Sequence, residues 1–235
     1  MSVITFASSK GGAGKTTSAI ILATTLARNH KVVLIDADPA ERLMSWANKG
    51  QLPHNLKVHA SGGERKIHGE IDLALRQADY VVIDLEGAAT RLNAYAMGES
   101  DLVIVPMGDE QQDAEGAIET FAELIQESRA MRRDIPVRIL FSRTQAAVKS
   151  RLEKSLNQQV RDKMGSFTVE LNRRTAFSSL HNIGGTLYDM DPRQVTGVDK
   201  AIHNSERFVE ELKQTLAFIE KLKSEKTGDE ELANG

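Results

Sequence analysis

The chain has no cysteine. That excludes disulfides, thiolate metal sites and iron–sulfur clusters. No apolar run approaches the roughly 18 residues that cross a bilayer, and no basic-then-apolar signal segment opens the chain. Internal repeats and low-complexity stretches are missing too. These absences predict a cytoplasmic protein with no membrane partner. Nor is there a large excess of either charge. The net charge of −3 by itself points to no nucleic-acid partner. Its distribution is uneven, however. Between Arg129 and Arg174 lie twelve Lys/Arg and four Asp/Glu, leaving eighteen basic and twenty-nine acidic residues elsewhere. Such asymmetry can place a basic face on an acidic protein. With 235 residues, 40% of them hydrophobic, the chain suits one large α/β domain.

What is present is concentrated near the start. Lys10-Gly11-Gly12-Ala13-Gly14-Lys15-Thr16-Thr17 follows an apolar run, Val3 to Ala7, that reads as a buried strand. It precedes Ser18 to Ala27, which reads as a helix. Strand, glycine loop and helix together form a phosphate cradle. Glycines let successive N–H groups point at one anion, and the helix adds its positive end. Gly11, Gly12, Ala13, Gly14, Lys15, Thr16 and Thr17 are therefore the candidate nucleotide-binding residues. Lys15 would reach the β- and γ-phosphates, and the Thr16 hydroxyl would join a magnesium shell. Two lysines around three glycines have no packing purpose and would repel each other without an anion between them.

Further apolar runs end in acids. Lys31 to Ile35 leads into Asp36-Ala37-Asp38-Pro39, and Tyr80 to Ile83 leads into Asp84-Leu85-Glu86-Gly87. Carboxylates at the carboxyl ends of strands project into the crevice where doubly wound sheets bind ligands. One such acid can hold a magnesium-bound water, and another can orient or deprotonate an attacking water. Strands are also expected at Leu56–His59, at Asp101–Pro106 with the proline ending it, and at Val137–Phe141. Helices are expected over Glu41–Gly50 with Trp46 in the core, over Glu64–Gln77, and over Asp113–Met131 with Ile118, Phe121, Ala122, Leu124 and Ile125 apolar at helical spacing. A basic helix is expected over Lys149–Lys163, and a last one over Asp199–Lys223. The order of elements predicts an α/β fold, a doubly wound and mostly parallel sheet flanked by helices on both faces. It spans 1–226, with a disordered acidic tail over 227–235.

The loop lacks the first glycine of the common G-x-x-x-x-G-K-[ST] pattern, since Ser9 stands there. It is the deviant form K-G-G-x-G-K-T-T, and on those residues, together with D-x-D-P, the chain resembles the ParA/MinD superfamily of ATPases, nearest the short ParA-type partition ATPases. The resemblance implies ATP and Mg2+ as ligands. It implies catalytic roles for Lys10, Lys15 and Asp38, with Thr16, Asp36 and Asp84 on the metal side. Lys10 would reach across a homodimer to the partner's nucleotide. Ser142 and Arg143 fall where the family contacts adenine. Family members usually carry two prolines after the Walker B aspartate, but here Glu86 and Gly87 follow, a departure similar to the VirC-type branch. The absence of cysteine separates the chain from the nitrogenase iron protein and the Mrp-type cluster carriers.

Family resemblance also implies non-specific DNA binding by a late basic segment, here Lys149, Arg151, Lys154, Arg173 and Arg174. Physically, such a surface releases counterions without reading sequence. The bland alternative is a solvated helix face. The function so implied is an ATPase switch that partitions a plasmid, chromosome region or other cargo. It would associate with the nucleoid and answer to a centromere-binding or adaptor protein that stimulates hydrolysis. The alternatives are a MinD-like spatial regulator on a membrane or scaffold, a VirC-like accessory of DNA transfer, and an ATP-dependent ligase of the dethiobiotin kind. The deviant lysine argues against the ligase, and the acidic C-terminus against an anionic bilayer.

Overall fold

Every central strand alternates large apolar side chains between two directions, and that alternation builds the molecule. The computed structural model describes residues 1–145 and 151–233, with side chains throughout except at 151–154, 156 and 226–233. Seven parallel strands pair in the order β3-β2-β4-β1-β5-β6-β7. They are β1 (Ser2–Phe6), β2 (Val32–Ala37), β3 (Leu56–Ala60), β4 (Tyr80–Leu85), β5 (Leu102–Met107), β6 (Val137–Thr144) and β7 (Leu171–Asn172). Parallel neighbours need crossovers, and helices supply them: α1 (Lys15–Leu26), α2 (Arg42–Ala47), α3 (Ile67–Leu75), α4 (Arg91–Gly98), α5 (Gln111–Met131), α6 (Arg151–Met164), α7 (Thr175–Ile183) and α8 (Val198–Ala233).

Ile4, Phe6, Leu34, Val82 and Ile104 point to one face, where α1, α2, α7 and α8 close a core. Val3, Val33, Val81, Ile83 and Val103 point to the other, against α3, α4, α5 and α6. Every residue of α1 except Thr17 is buried. A helix apolar all round must be enclosed on all sides, and here the sheet, α7 and α8 do so. The sheet places the carboxyl ends of β1, β2 and β4 together. Asp36 and Asp84 are direct partners in the β2–β4 register, and the glycine loop leaves β1 beside them.

The expected doubly wound sheet is present. Three local expectations are not met. Pro106 does not end its strand but lies within β5, opposite Leu140 of β6. Val103 donates its N–H toward β6, to the Pro136 carbonyl, so even-numbered residues turn their nitrogens toward β1. Pairing with β1 stops at Ile104, and the missing proline N–H therefore costs no ladder bond. Helix α5 is rotated from its expected face. It buries Ala114, Gly116, Ala117, Thr120 and Leu124, and leaves Ile118 and Ile125 53% and 40% exposed. Its small residues face the glycine loop: a Cβ on Gly116 would lie 3.1 Å from Lys10 Cβ. Finally, α8 continues past Lys223 to Ala233, into the segment expected to be disordered. Once a helix is nucleated each added residue costs little, so α8 runs on through Thr227-Gly228-Asp229 although these are poor helix formers.

Helix α2 and the turn after α7 meet backbone to backbone. Trp46 is buried as expected, its indole N–H donating to the Gly185 carbonyl at 3.1 Å. A Cβ on Gly50 would fall 2.4 Å from the Gly185 nitrogen. Gly50→Ala is thus expected to destabilise by about 2 kcal/mol through overpacking, read as a lower urea midpoint in Trp46 fluorescence. Gly69, within α3, has nothing within 4 Å of its would-be Cβ. There Gly69→Ala should raise stability by about 0.5–1 kcal/mol.

Candidate active site

The loop after β1 curls through positive φ at Gly12 (80°) and Gly14 (97°), a region that favours glycine. Gly14 is the N-cap of α1, and the helix opens directly on Lys15. Lys15 is buried. Its ammonium folds back over the loop and donates to the Ser8 and Lys10 carbonyls at 3.3 and 3.4 Å. Burial lowers its pKa, against an opposing pull from Asp84 and Asp38. Lys10 turns the other way. Its Nζ meets Asp113 Oδ1 at 2.8 Å, at the start of α5. Thus one lysine lies over its own loop, and the other is held outside it by a carboxylate.

The three strand-end acids differ sharply. Asp84 is fully buried, and neither of its oxygens has a partner in hydrogen-bond geometry. Burial raises its pKa to about 7. The Thr16 hydroxyl and Lys15 pull downward, while Asp36 and Asp38 push further up. Asp36 is equally deep but already engaged: it accepts from Asp38 N–H at 3.3 Å and Met44 N–H at 3.0 Å. Burial raises its pKa too, with those backbone bonds opposing. Asp38 is half-buried at the crevice edge, bonded to Ala40 N–H at 2.9 Å, with Arg42 3.9 Å away. An orphaned buried carboxylate beside a threonine hydroxyl fits a divalent cation. Mg2+ takes few protein ligands and keeps most of its shell as water and phosphate. Thr16 and Asp84 would hold it, with Asp36 reaching it only through water.

On the α7 side of the loop opens a cavity of about 250 Å³, lined by Gly14, Thr17, Ser142, Arg143, Phe177 and His181 among others. Ser142 is buried and donates to the Ala13 carbonyl at 2.8 Å. Arg143 has φ 56° and hydrogen-bonds the Gly12 carbonyl. Thr17 and His181 share a 2.7 Å hydrogen bond. Ser142 and Arg143 therefore stand against the loop. Arg173 and Arg174, expected on a DNA-facing surface, line this same cavity. Arg174 also borders an open cleft with Lys200, His203 and Arg207 of α8. Lys149 lies outside the described residues, and Arg151 and Lys154 fall among the undescribed side chains. Arg161 is structural: it pairs with Glu170 at 2.8 Å and lies over the Phe141 ring.

Sequence reasoning missed Asp113, His181, Asn93 and the α8 cations. Asp113 is 103 residues from Lys10, and no local pattern marks it. Lys200, His203 and Arg207 follow an i, i+3, i+7 helical spacing that a search of α8 for charge as well as apolar residues would have found.

A neutral Asp84 is favoured by the fold, so its contribution to stability is full below pH ~3.8 and is lost as pH rises to about 7. Metal-free protein in EDTA is expected to melt at progressively lower temperature between pH 5 and 8. Asp84→Asn should flatten that slope and be the more stable protein above pH 7. A variant as pH-dependent as the parent would show that Asp84 is not the group responsible.

Comparison with known proteins identifies the family. The profile of the family described as VirC1 protein matches residues 1–224. A curated relative, the ParA protein of Rhizobium radiobacter, is 34% identical over 213 residues, covering 88% of this chain and 94% of that one. Among solved structures, a plasmid partition protein of Borrelia burgdorferi B31 bound to AMPPNP superposes with a TM-score of 0.68 at 22% identity, covering 91% and 99% of the two chains. The Cyanothece McdA(D38A)–ATP complex does so with a TM-score of 0.72 at 17% identity, covering 90% and 96%. The chain belongs to the VirC1 family, within the ParA/MinD superfamily of deviant Walker A ATPases.

Proposed function

We propose that the chain is an ATP-hydrolysing switch that dimerises around nucleotide and binds DNA non-specifically to partition cargo. One observation carries this reading: Lys15 sits on its own loop, whereas Lys10 is parked outside it on Asp113. A loop that binds phosphate with one lysine has no use for the second in the same subunit. On ATP binding the Lys15 ammonium exchanges two carbonyl acceptors for the β- and γ-phosphates, a gain in charge complementarity inside a dry site. Glycine-loop N–H groups and the start of α1 hold the remaining oxygens. Asp38, at the solvent edge, orients the attacking water. Lys10 leaves Asp113 for the partner's nucleotide, where it offsets charge developing on the transferred phosphoryl group, as an arginine finger does. Mg2+, when bound, neutralises phosphate charge and orders its oxygens. A partner protein would act by promoting this slow step.

DNA binding is supported by the cleft that brings Arg174 together with Lys200 and Arg207 of α8, beside His203 and with Glu170 and Asp199 also in its lining. Dimerisation would set two such clefts side by side and make affinity depend on ATP. The match to the VirC1 family favours a second use for the same switch, as an accessory of DNA transfer. Both uses place the protein on the nucleoid or a plasmid.

Lys10→Ala is expected to bind ATP within a few-fold of the parent yet lose turnover by about 10³ or more. Parent-like turnover in that variant would rule out the trans-acting lysine. In gel retardation with a slowly hydrolysed ATP analogue, DNA affinity should fall steeply with salt. Lys200→Ala/Arg207→Ala should reduce the slope of log K against log salt by about 2. An unchanged slope would move the DNA surface elsewhere.

A further inference from the structure

We propose that Asn93 is a positioning residue for hydrolysis, tethering the turn Glu86–Ala89 onto the glycine loop. This turn follows Asp84 directly, where the family's usual prolines are absent. Asn93 lies in α4, is 6% exposed, and sends its side-chain amide back to the Glu86 and Ala88 carbonyls at 3.2 and 2.5 Å. Two carbonyl acceptors fix which end of the amide faces the turn, because only the NH2 group donates. The helix that carries it is anchored by its N-cap: the Thr90 hydroxyl accepts from Asn93 N–H at 3.2 Å. Outside the strand ladder, no other hydrogen bond reaches residues 86–89 among the described residues.

What the tether positions is Gly87. A Cβ there would lie 3.4 Å from Lys15 Nζ and 3.6 Å from the Gly11 nitrogen and the Ser8 carbonyl. The turn therefore sits directly on the lysine that, in the function proposed above, holds the terminal phosphate; the role of Asn93 in turnover rests on that reading. Two prolines stiffen such a turn through fixed φ angles. Here the same restraint comes from a side chain spanning carbonyls two residues apart.

Stability alone does not account for Asn93. Its Oδ1 is buried without a partner, an arrangement native structures mostly avoid. Residues 87–89 are exposed, so water could satisfy their carbonyls once released. The orphan oxygen belongs to a residue on the wall of a cavity of about 410 Å³ that also reaches Ser8, Ser9 and Thr120. Ser9 N–H donates to Thr120 Oγ1 at 2.8 Å, and Ser9 Oγ to the Gly116 carbonyl at 3.0 Å. The turn and the loop entrance are thus restrained from two helices flanking one cavity, α4 by Asn93 and α5 by Thr120 and Gly116.

The test has two arms. Asn93→Leu keeps the branched shape at somewhat larger size and removes both donors, and Asn93→Ala serves if the leucine variant fails to fold by circular dichroism. In nucleotide-free protein, Glu-C cleavage after Glu86, followed by mass spectrometry, is expected to run about tenfold faster once two hydrogen bonds are lost. With ATP, kcat should fall about 10–100-fold while the dissociation constant for a fluorescent ATP analogue moves less than threefold, since misplacement near the reacting atoms is felt in the chemical step. Cleavage at the parent rate would overturn the tether. Faster cleavage with parent-like kcat would overturn its role in turnover. If the parent itself neither binds nor hydrolyses ATP, the function proposed above fails and the role in turnover with it, while the cleavage arm still decides the tether.

Discussion

Two like charges cannot share one glycine loop unless something separates them, and much of this molecule follows from how Lys10 and Lys15 are kept apart. Lys15 is drawn inward by the Ser8 and Lys10 carbonyls and by the field of Asp84 and Asp38. Lys10 is drawn outward by Asp113. For Asp113 to reach it, the first turns of α5 must lie against the loop, and only small residues permit that approach. Gly116 and Thr120 occupy those positions and bond to Ser9 as well. The helix is thereby locked in a rotation that turns Ile118 and Ile125 toward α6 and solvent. The small-residue face of this 21-residue helix thus packs on the loop, and part of its apolar face is left toward α6 and solvent.

The acids divide by the same logic. Burying a carboxylate is costly unless it gains donors. Asp36 gains them from the backbone at the start of α2, so it fixes the course of the chain from Asp38 to Met44 and with it the placement of Asp38. Asp84 has no partner in hydrogen-bond geometry, and burial outweighs the pull of Thr16 and Lys15, raising its pKa to about 7. It is the one strand-end acid whose electrostatics are left incomplete by the fold. Asp84 and the neighbouring Thr16 hydroxyl are the residues that would hold a divalent cation, which would supply the charge this carboxylate lacks.

The sheet was legible because its strands are short apolar runs ended by acids or turns, and the loop because glycine and lysine at that spacing have few other uses. Trp46 followed from size, and Phe208, Val209, Leu212 and Ile219 of α8 from periodicity; all are buried, whereas Leu222, on the same expected face, is exposed. What escaped was whatever depends on contact between distant residues. Pro106 looked like a terminator because its tolerance depends on where β1 stops. Asn93 looked like an ordinary helix residue, since nothing in Thr90-Arg91-Leu92-Asn93 says that its amide reaches back to Glu86. The basic count between Arg129 and Arg174 was real, but composition carries no direction.

That last point matters most for function. Arg161 spends its guanidinium on Glu170, the Phe167 carbonyl and the Phe141 ring, so it contributes packing and little external field. Arg173 and Arg174 open toward the nucleotide side of the molecule, and Arg174 is steadied by Asn204 and Asn172. Lys200, His203 and Arg207 lie outside the basic segment yet share a cleft with Arg174. Arg174, Lys200 and Arg207 therefore come from two parts of the chain to share one cleft with Glu170 and Asp199, and Arg174 is common to it and to the cavity beside the glycine loop. A substitution at Arg174 therefore changes the lining of the cavity and of the cleft at once.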